Sequence, residues 1–278
     1  MKKSTQNIIT LLILVIFAVV LYFYWDSQQK ENIQGDVLTP SVKKAVIKEF
    51  KAFDLPLEIV GHQVVVRPYY TLSFNKEHMQ ADWVAYKMYP FPDSVSVKRK
   101  DAFRVDPMID GGSATLEDYK KSGYDRGHLA PAKALSYSKE SMSESFFMSN
   151  MSPQVPMFNR GIWRFLEAEV YQWSKDSDSL YVVTGPVLDH PLGTIGVHKV
   201  SIPRSYFKTI IRFKNGNATG IGFLLKNEKS KEKCLDFATS IDSVEQVTGL
   251  DFYHQLNDSV EAVIERNREL SKFIKSIE

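Results

Sequence analysis

The sequence predicts an α+β fold, and three observations carry that expectation. From about residue 55 the chain is rich in short runs of β-branched and aromatic residues, bounded by turn residues. Apolar residues at helical spacing are rarer and clear in two later stretches. Strands and helices do not alternate regularly, which argues against a doubly wound parallel sheet. The 278 residues are 44% hydrophobic and 24% charged, ordinary values for one large folded domain or two small ones. A net charge of +2 neither demands nor excludes a nucleic-acid partner, because a local patch decides that. Cys234, the single cysteine, excludes an internal disulfide, and no Cys/His group has zinc spacing.

At the N-terminus, Lys2 and Lys3 precede "IITLLILVIFAVVLYFYW", residues 8–25, which carry no charge. As a helix these residues would span about 27 Å at about 1.5 Å per residue, enough for a membrane core. Tyr22, Phe23, Tyr24 and Trp25 suit the membrane–water interface. A cleaved signal peptide is the competing reading, but the run is long for one and no A-x-A-like site follows. The expectation is an uncleaved transmembrane anchor at 8–25, with residues 1–7 cytoplasmic. The rest would then be extracytoplasmic, in a periplasm or at the cell surface. Residues 26–54 read as a polar linker with a short helix near "SVKKAVIKEF".

The folded domain is expected over 55–258. "EIVGHQVVVRPYYTLSFN" reads as strands with a turn at Gly61, and "DWVAYKMY" as another strand. "SLYVVTGPVL" reads as an apolar strand stopped by Gly185 and Pro186. "YFKTIIRFKNGNATGIGFLL" reads as a hairpin turning at "KNGN". "NRGIWRFLEAEVYQWSK" reads as one helix beginning near Asn159, burying Ile162, Phe165, Leu166, Val170 and Trp173. "DSVEAVIERNRELSKFIKSI" reads as a second amphipathic helix, with residues 259–278 a separate C-terminal element.

The chemistry concentrates in "YDRGHLAPA", residues 124–132. Gly127 permits a close backbone approach. Arg126 offers a planar fork for phosphate oxygens. His128 can hold or release a proton near neutrality. Each also has a plainer reading: a structural histidine, and an Asp125–Arg126 ion pair. Downstream, "FFMSNMSPQVPMFNRGIWRFLE" supplies Asn150, Gln154, Asn159, Arg160 and Glu167. On a continuous helix Asn159 and Glu167 would be about 80° apart and share a side. Taken singly, they could equally be a helix cap and a solvated carboxylate. His62, His78, His190, His198 and His254 read as structural.

Together, "DRGH" with Pro131, "SNMSPQ" and "NRGIWRFLE" resemble the DNA/RNA non-specific endonucleases. These are the ββα-metal (His-Me finger) nucleases that include secreted bacterial nucleases and mitochondrial endonuclease G. The resemblance extends through "WVAYKMY", "RKDAFRVDP", "YVVTGPVL" and "TGLDF", over roughly residues 55–258. It implies a ββα-metal fold with a mainly antiparallel central sheet. It also implies Mg²⁺-dependent hydrolysis of DNA and RNA, held by the phosphate backbone, without sequence or sugar preference. Mn²⁺ is the alternative metal. His128 falls on the general base, Asn159 on the single direct metal ligand, and Glu167 on the carboxylate that holds metal-bound waters. Arg126 matches the signature arginine and Arg99 the phosphate-contacting one. Asn150 and Gln154 match positions beside the site. Relatives of this kind are often homodimers. The competing reading is a membrane-tethered nucleic-acid-binding module on a nuclease scaffold, without turnover.

Overall fold

The computed structural model describes residues 55–275. The expected anchor at 8–25, the linker and its short helix lie outside the described residues. Among the described residues no helix is long and apolar enough to cross a membrane.

Strands β1 (Gln63–Val66), β2 (Thr71–Asn75) and β3 (Gln80–Met88) form a meander, as their β-branched and aromatic runs require. A short helix α1 (Leu116–Tyr119), strand β4 (Asp125–His128) and helix α2 (Lys139–Glu144) follow. Next come β5 (Met151–Gln154), a π-helical turn (Phe158–Trp163) and α3 (Arg164–Lys175). The second half contains β6 (Ser179–Val187), the short pair β7 (Thr194–Ile195) and β8 (Val200–Ser201), β9 (Ser205–Lys214) and β10 (Asn217–Lys226). It ends with β11 (Ala238–Thr239), α4 (Ile241–Thr248), α5 (Asp258–Glu265) and α6 (Leu270–Lys275). The central sheet runs β1-β2-β3-β6-β9-β10-β11 and every neighbouring pair is antiparallel. The mixed fold and its antiparallel central sheet agree with expectation.

Strand alternation sorts β9 and β10 onto two faces. Tyr206, Ile210, Ile221 and Phe223 share one core with Trp163, Leu166, Val170 and Phe273, so α3 and α6 cover that face. On the other face Phe207 meets Phe252 and Thr209 bonds the Tyr253 hydroxyl. There α4 and α5 lie tight against β10, because Gly220 and Gly222 have no side chain to hold them off. A Cβ at Gly220 would stand 2.6 Å from the Ile264 carbonyl oxygen, and one at Gly222 2.7 Å from that of Ser240.

Four local expectations are corrected. First, β6 does not stop at Gly185–Pro186 but runs through both to Val187. β3 pairs with β6 only as far as Thr184, so the missing Pro186 N–H breaks no ladder on that side. Second, the helix from Asn159 is not continuous: Gly161 takes φ −105°, ψ −115° inside a π-helical turn, and regular helix starts at Arg164. Asn159 lies within that turn and caps nothing. Third, Phe165 is exposed, while Ile162, Leu166, Val170 and Trp173 are buried as expected. Fourth, the C-terminal helix is two helices. Asn267 leaves the helical path to donate to the Gly220 carbonyl at 2.8 Å, and its side-chain oxygen accepts from the Glu269 amide. The hairpin holds as expected: Asn215 and Gly216 both have positive φ, 50° and 73°.

β4 and β5 form a separate two-stranded ribbon over the α3 face. The Ser152 hydroxyl meets the Tyr206 hydroxyl at 2.7 Å, which in turn donates to the Pro153 carbonyl at 2.9 Å. Asn227 accepts from the Val155 amide and donates to the Pro153 carbonyl. The ribbon carrying "DRGH" is thus fastened to β9 and β10 by buried hydrogen bonds.

Candidate active site

His128 ends β4, opposite Met151. At Gly127, one residue earlier, a Cβ would collide with the fully buried Gln154 side chain, which lies across the space that glycine leaves open. The imidazole is 9% exposed and walled by Phe146, with ring centroids 4.8 Å apart at 90°, and by Phe103 at 5.8 Å. Its Nε2 is shut off from bulk solvent and has no hydrogen-bond partner. Burial, then the positive charges of Arg99 and Arg126, lower its pKa to about 3 against the opposing pull of Asp101. The ring is therefore neutral at physiological pH, with a lone pair available.

Both arginines rest on the same aromatic walls. Arg126 lies 4.3 Å over the Phe103 ring and Arg99 5.2 Å over Phe146. Arg99 is exposed and its Nε donates to Asp101 at 2.7 Å. Its charge is felt by both His128 and Glu167.

Asp125, at the start of β4, pairs not with its neighbour Arg126 but with Arg160, which grips both carboxylate oxygens at 2.8 and 2.6 Å. Asp125 Oδ2 also accepts from Asn159 Nδ2 at 2.9 Å. Burial alone would raise the Asp125 pKa, but the Arg160 and Asn159 hydrogen bonds hold it below the usual carboxylate value. Using the Asn159 nitrogen in this way leaves its Oδ1 as the free end of the amide. The break at Gly161 then decouples Asn159 from α3, so its aim is set by β4 rather than by helical phase.

Glu167 lies on the first turn of α3 and opens, with Arg164, onto a cavity of about 460 Å³ that Tyr86, Pro131 and Lys133 also line. Burial pushes its carboxyl up, while the charges of Lys208 and Arg99 pull it back.

Asn150 and Gln154 face inward. Asn150 is fully buried; its Oδ1 accepts from the Ala130 amide at 2.9 Å and its Nδ2 donates to the Ala130 and Ser145 carbonyls. It pins the backbone just past His128. Behind it, the buried Asp106 accepts from Arg67, Ser149 and the Met108 amide. Gln154 is fully buried behind Gly127, with neither amide atom hydrogen-bonded.

The structure therefore brings His128, Arg126, Arg99 and Glu167 into one electrostatic neighbourhood and ties Asn159 to the strand that carries His128. The sequence missed Asp125 as the anchor of Asn159, and Phe146 as the wall of His128. It also missed Lys208, which alternation alone would place on either face of a strand. The remaining histidines are structural where they are bonded. His62 pairs with Asp82, His78 with Ser201, and His198 with Asp118.

The amide oxygen of Asn159 and the carboxylate of Glu167 are hard oxygen donors of the kind that suit a hard divalent cation. Among the described residues, the three acids close enough to share an ion are Asp242, Glu245 and Glu265. They sit on α4 and α5, over the opposite face of the sheet, and are not part of this site.

A model of the DNA/RNA non-specific endonuclease family matches residues 50–259. The chain belongs to that family. It is 31% identical over 214 residues to "Nuclease C1" of Cunninghamella echinulata var. echinulata, covering 69% of this chain and 83% of that protein. It is 28% identical over 205 residues to mitochondrial endonuclease G of Homo sapiens, covering 68% and 69%. Among solved structures, a crystal structure of the EndoG/EndoGI complex matches with a TM-score of 0.63 and 29% identity, over 70% of this chain and 86% of that one. The chain is a nuclease, as the motifs of "DRGH" and "NRGIWRFLE" led us to expect.

Proposed function

We propose that this nuclease is a metal-dependent endonuclease of the ββα-metal type, which hydrolyses phosphodiester bonds in DNA and RNA without sequence or sugar preference. The observation that carries the reading is His128: a neutral imidazole with Arg99 and Arg126 beside it. The neutral His128 ring takes a proton from the attacking water as the water oxygen bonds to phosphorus. The bond from phosphorus to the 3′ oxygen breaks, leaving a 5′-phosphate and a 3′-hydroxyl. Arg99, released from Asp101, and Arg126 hold the non-bridging oxygens and stabilise the charge that grows on them. Asn159 Oδ1 and Glu167 would hold Mg²⁺ or Mn²⁺, Asn159 directly and Glu167 through water. When bound, the ion supplies Lewis-acid neutralisation of the phosphoryl group and the leaving oxygen. Contacts of this kind touch the backbone and not base edges, hence the absence of sequence preference.

The test uses supercoiled plasmid and a structured RNA, with Mg²⁺ or EDTA, beside His128→Ala. We expect metal-dependent degradation of both polymers and a loss of about 10²–10⁴-fold in the variant, the usual contribution of a general base. A fully active, folded His128→Ala would sink the mechanism. Retention of DNA without cleavage under Mg²⁺ and Mn²⁺ would favour a tethered binding module instead.

We also infer that the uncharged run at residues 8–25 anchors the chain in a membrane with the nuclease domain outside the cytoplasm. Release of the full chain into the soluble fraction by alkaline carbonate would refute the anchor.

A further inference from the structure

Lys208 has no evident reason to be where it is. It lies in the middle of β9, opposite Thr184 of β6 and Phe223 of β10, where an apolar or β-branched residue would pack without cost. It is fully buried. Its Nζ stands 4.8 Å from the centre of the Trp163 ring and 5.8 Å from that of Tyr86, and makes no hydrogen bond. The hydroxyl of Tyr86 is equally buried and unbonded, and the buried indole Nε1 of Trp163 interacts with the Glu167 carboxylate at more than a normal hydrogen-bond distance. Three donors thus converge on one small chamber, and a single anionic group acts on it. That group is Glu167, the electrostatic partner of both Lys208 and Tyr86. Trp163 precedes Glu167 by four residues, so indole and carboxylate stand on the same side of α3.

We propose that Lys208 is a positioning residue for Glu167. With Trp163 and Tyr86 it holds the carboxylate from behind, so that the outer face of Glu167 meets metal-bound water in the cavity it shares with Arg164. This rests on the reading of Glu167 given above. A buried charge kept at the expense of packing is explained by what it does for the carboxylate, not by what it does for the sheet.

The experiment is a double-mutant cycle on the full chain, with Lys208→Met, Glu167→Gln and the double variant. Mn²⁺ affinity is read by electron paramagnetic resonance, and Tm is measured in EDTA. Lys208→Met keeps the length and bulk of the side chain, and its Tm in EDTA reports whether the sheet survives loss of the charge that acts on Glu167. It is expected to weaken Mn²⁺ binding about tenfold, as loss of a supporting group does. The double variant should bind Mn²⁺ no more weakly than Glu167→Gln alone. Wild-type Mn²⁺ affinity in Lys208→Met, or fully additive losses in the double variant, would overturn the proposal. Should Lys208→Met fail to fold, Tyr86→Phe decides: it removes one donor of the chamber, and a loss of Mn²⁺ affinity supports the proposal while wild-type affinity overturns it. If Glu167→Gln itself binds Mn²⁺ like the wild type, the reading of Glu167 fails whatever Lys208 does. If Glu167→Gln weakens binding and Lys208→Met does not, only the role of Lys208 is lost.

Discussion

A free histidine gains a proton near pH 6.5, so a histidine base usually loses activity just below neutrality. His128 differs because its walls are Phe103 and Phe146 and its charged neighbours are arginines. Its folded pKa, about 3, lies below the unfolded value, so it stays neutral far into the acid range. The expected result is a ring resonance for His128 that does not move between pH 8 and pH 5 in NMR of histidine-labelled protein. A titration midpoint near 6.5 would mean the ring is more solvated than its aromatic cage allows. His128 stood out in the sequence as the proposed base because Asp125, Arg126, Gly127 and His128 are contiguous. Its protonation state was not legible there, because Phe146 and Arg99 come from segments outside that motif. Asp125 shows the same limit. Read alone, it pairs with Arg126; folded, the strand sends it to Arg160, a partner 35 residues away that no local pattern reveals.

At the scale of elements, the hydrophobic pattern located most strands, and it failed where backbone contact rather than side-chain burial decided the outcome. Gly185 and Pro186 look like a stop, yet β6 continues because the glycine lets another strand's backbone approach. A Cβ at Gly185 would collide with the Asp82 carbonyl oxygen and stand 2.9 Å from the Phe207 ring. Neither neighbour is a flexible side-chain end. Gly185→Ala must therefore push β3 and β6 apart at the centre of the sheet, and we expect a loss of about 1–3 kcal/mol, the usual range for overpacking. Urea denaturation would measure it; a midpoint equal to the wild type would show that β3 can move freely. The same reasoning separates Asn159 from α3. A helical-wheel relation to Glu167 suggested a shared side, but the break at Gly161 takes Asn159 off the helix and its side chain is held by Asp125. The candidate residues were readable from the motifs, while the Asp125 bond that orients Asn159 was not.

For the whole molecule, the face of the sheet away from His128 carries an acidic load that the composition hides. Asp242 and Glu245 of α4, Glu261 and Glu265 of α5, and Asp251 between the helices crowd together. The Glu265 carboxyl is pushed up to about 9, first by burial and then by Glu245, Glu261, Asp242 and Asp251. Glu261 is pushed up to about 7, by burial and by Asp251, Glu245 and Asp258. Both folded values lie above the unfolded value of 4.5. Between 4.5 and their folded values these two carboxyls therefore hold more protons in the folded chain than in the unfolded one. By linkage, this contribution to stability is complete below the unfolded pKa and is lost as the pH rises through the folded ones. His128 contributes the opposite slope below its unfolded value of 6.5, so Tm is expected to peak in the mildly acidic range and fall toward pH 9. Glu265→Gln cannot ionise and should flatten the alkaline side of that curve without touching the acid side. Thermal melts in EDTA from pH 4 to pH 9, wild type beside variant, read this directly. If the variant keeps the full alkaline decline, the cluster is not its source. A flattened decline with nuclease activity retained would show that stability and catalysis are set on opposite faces of one sheet.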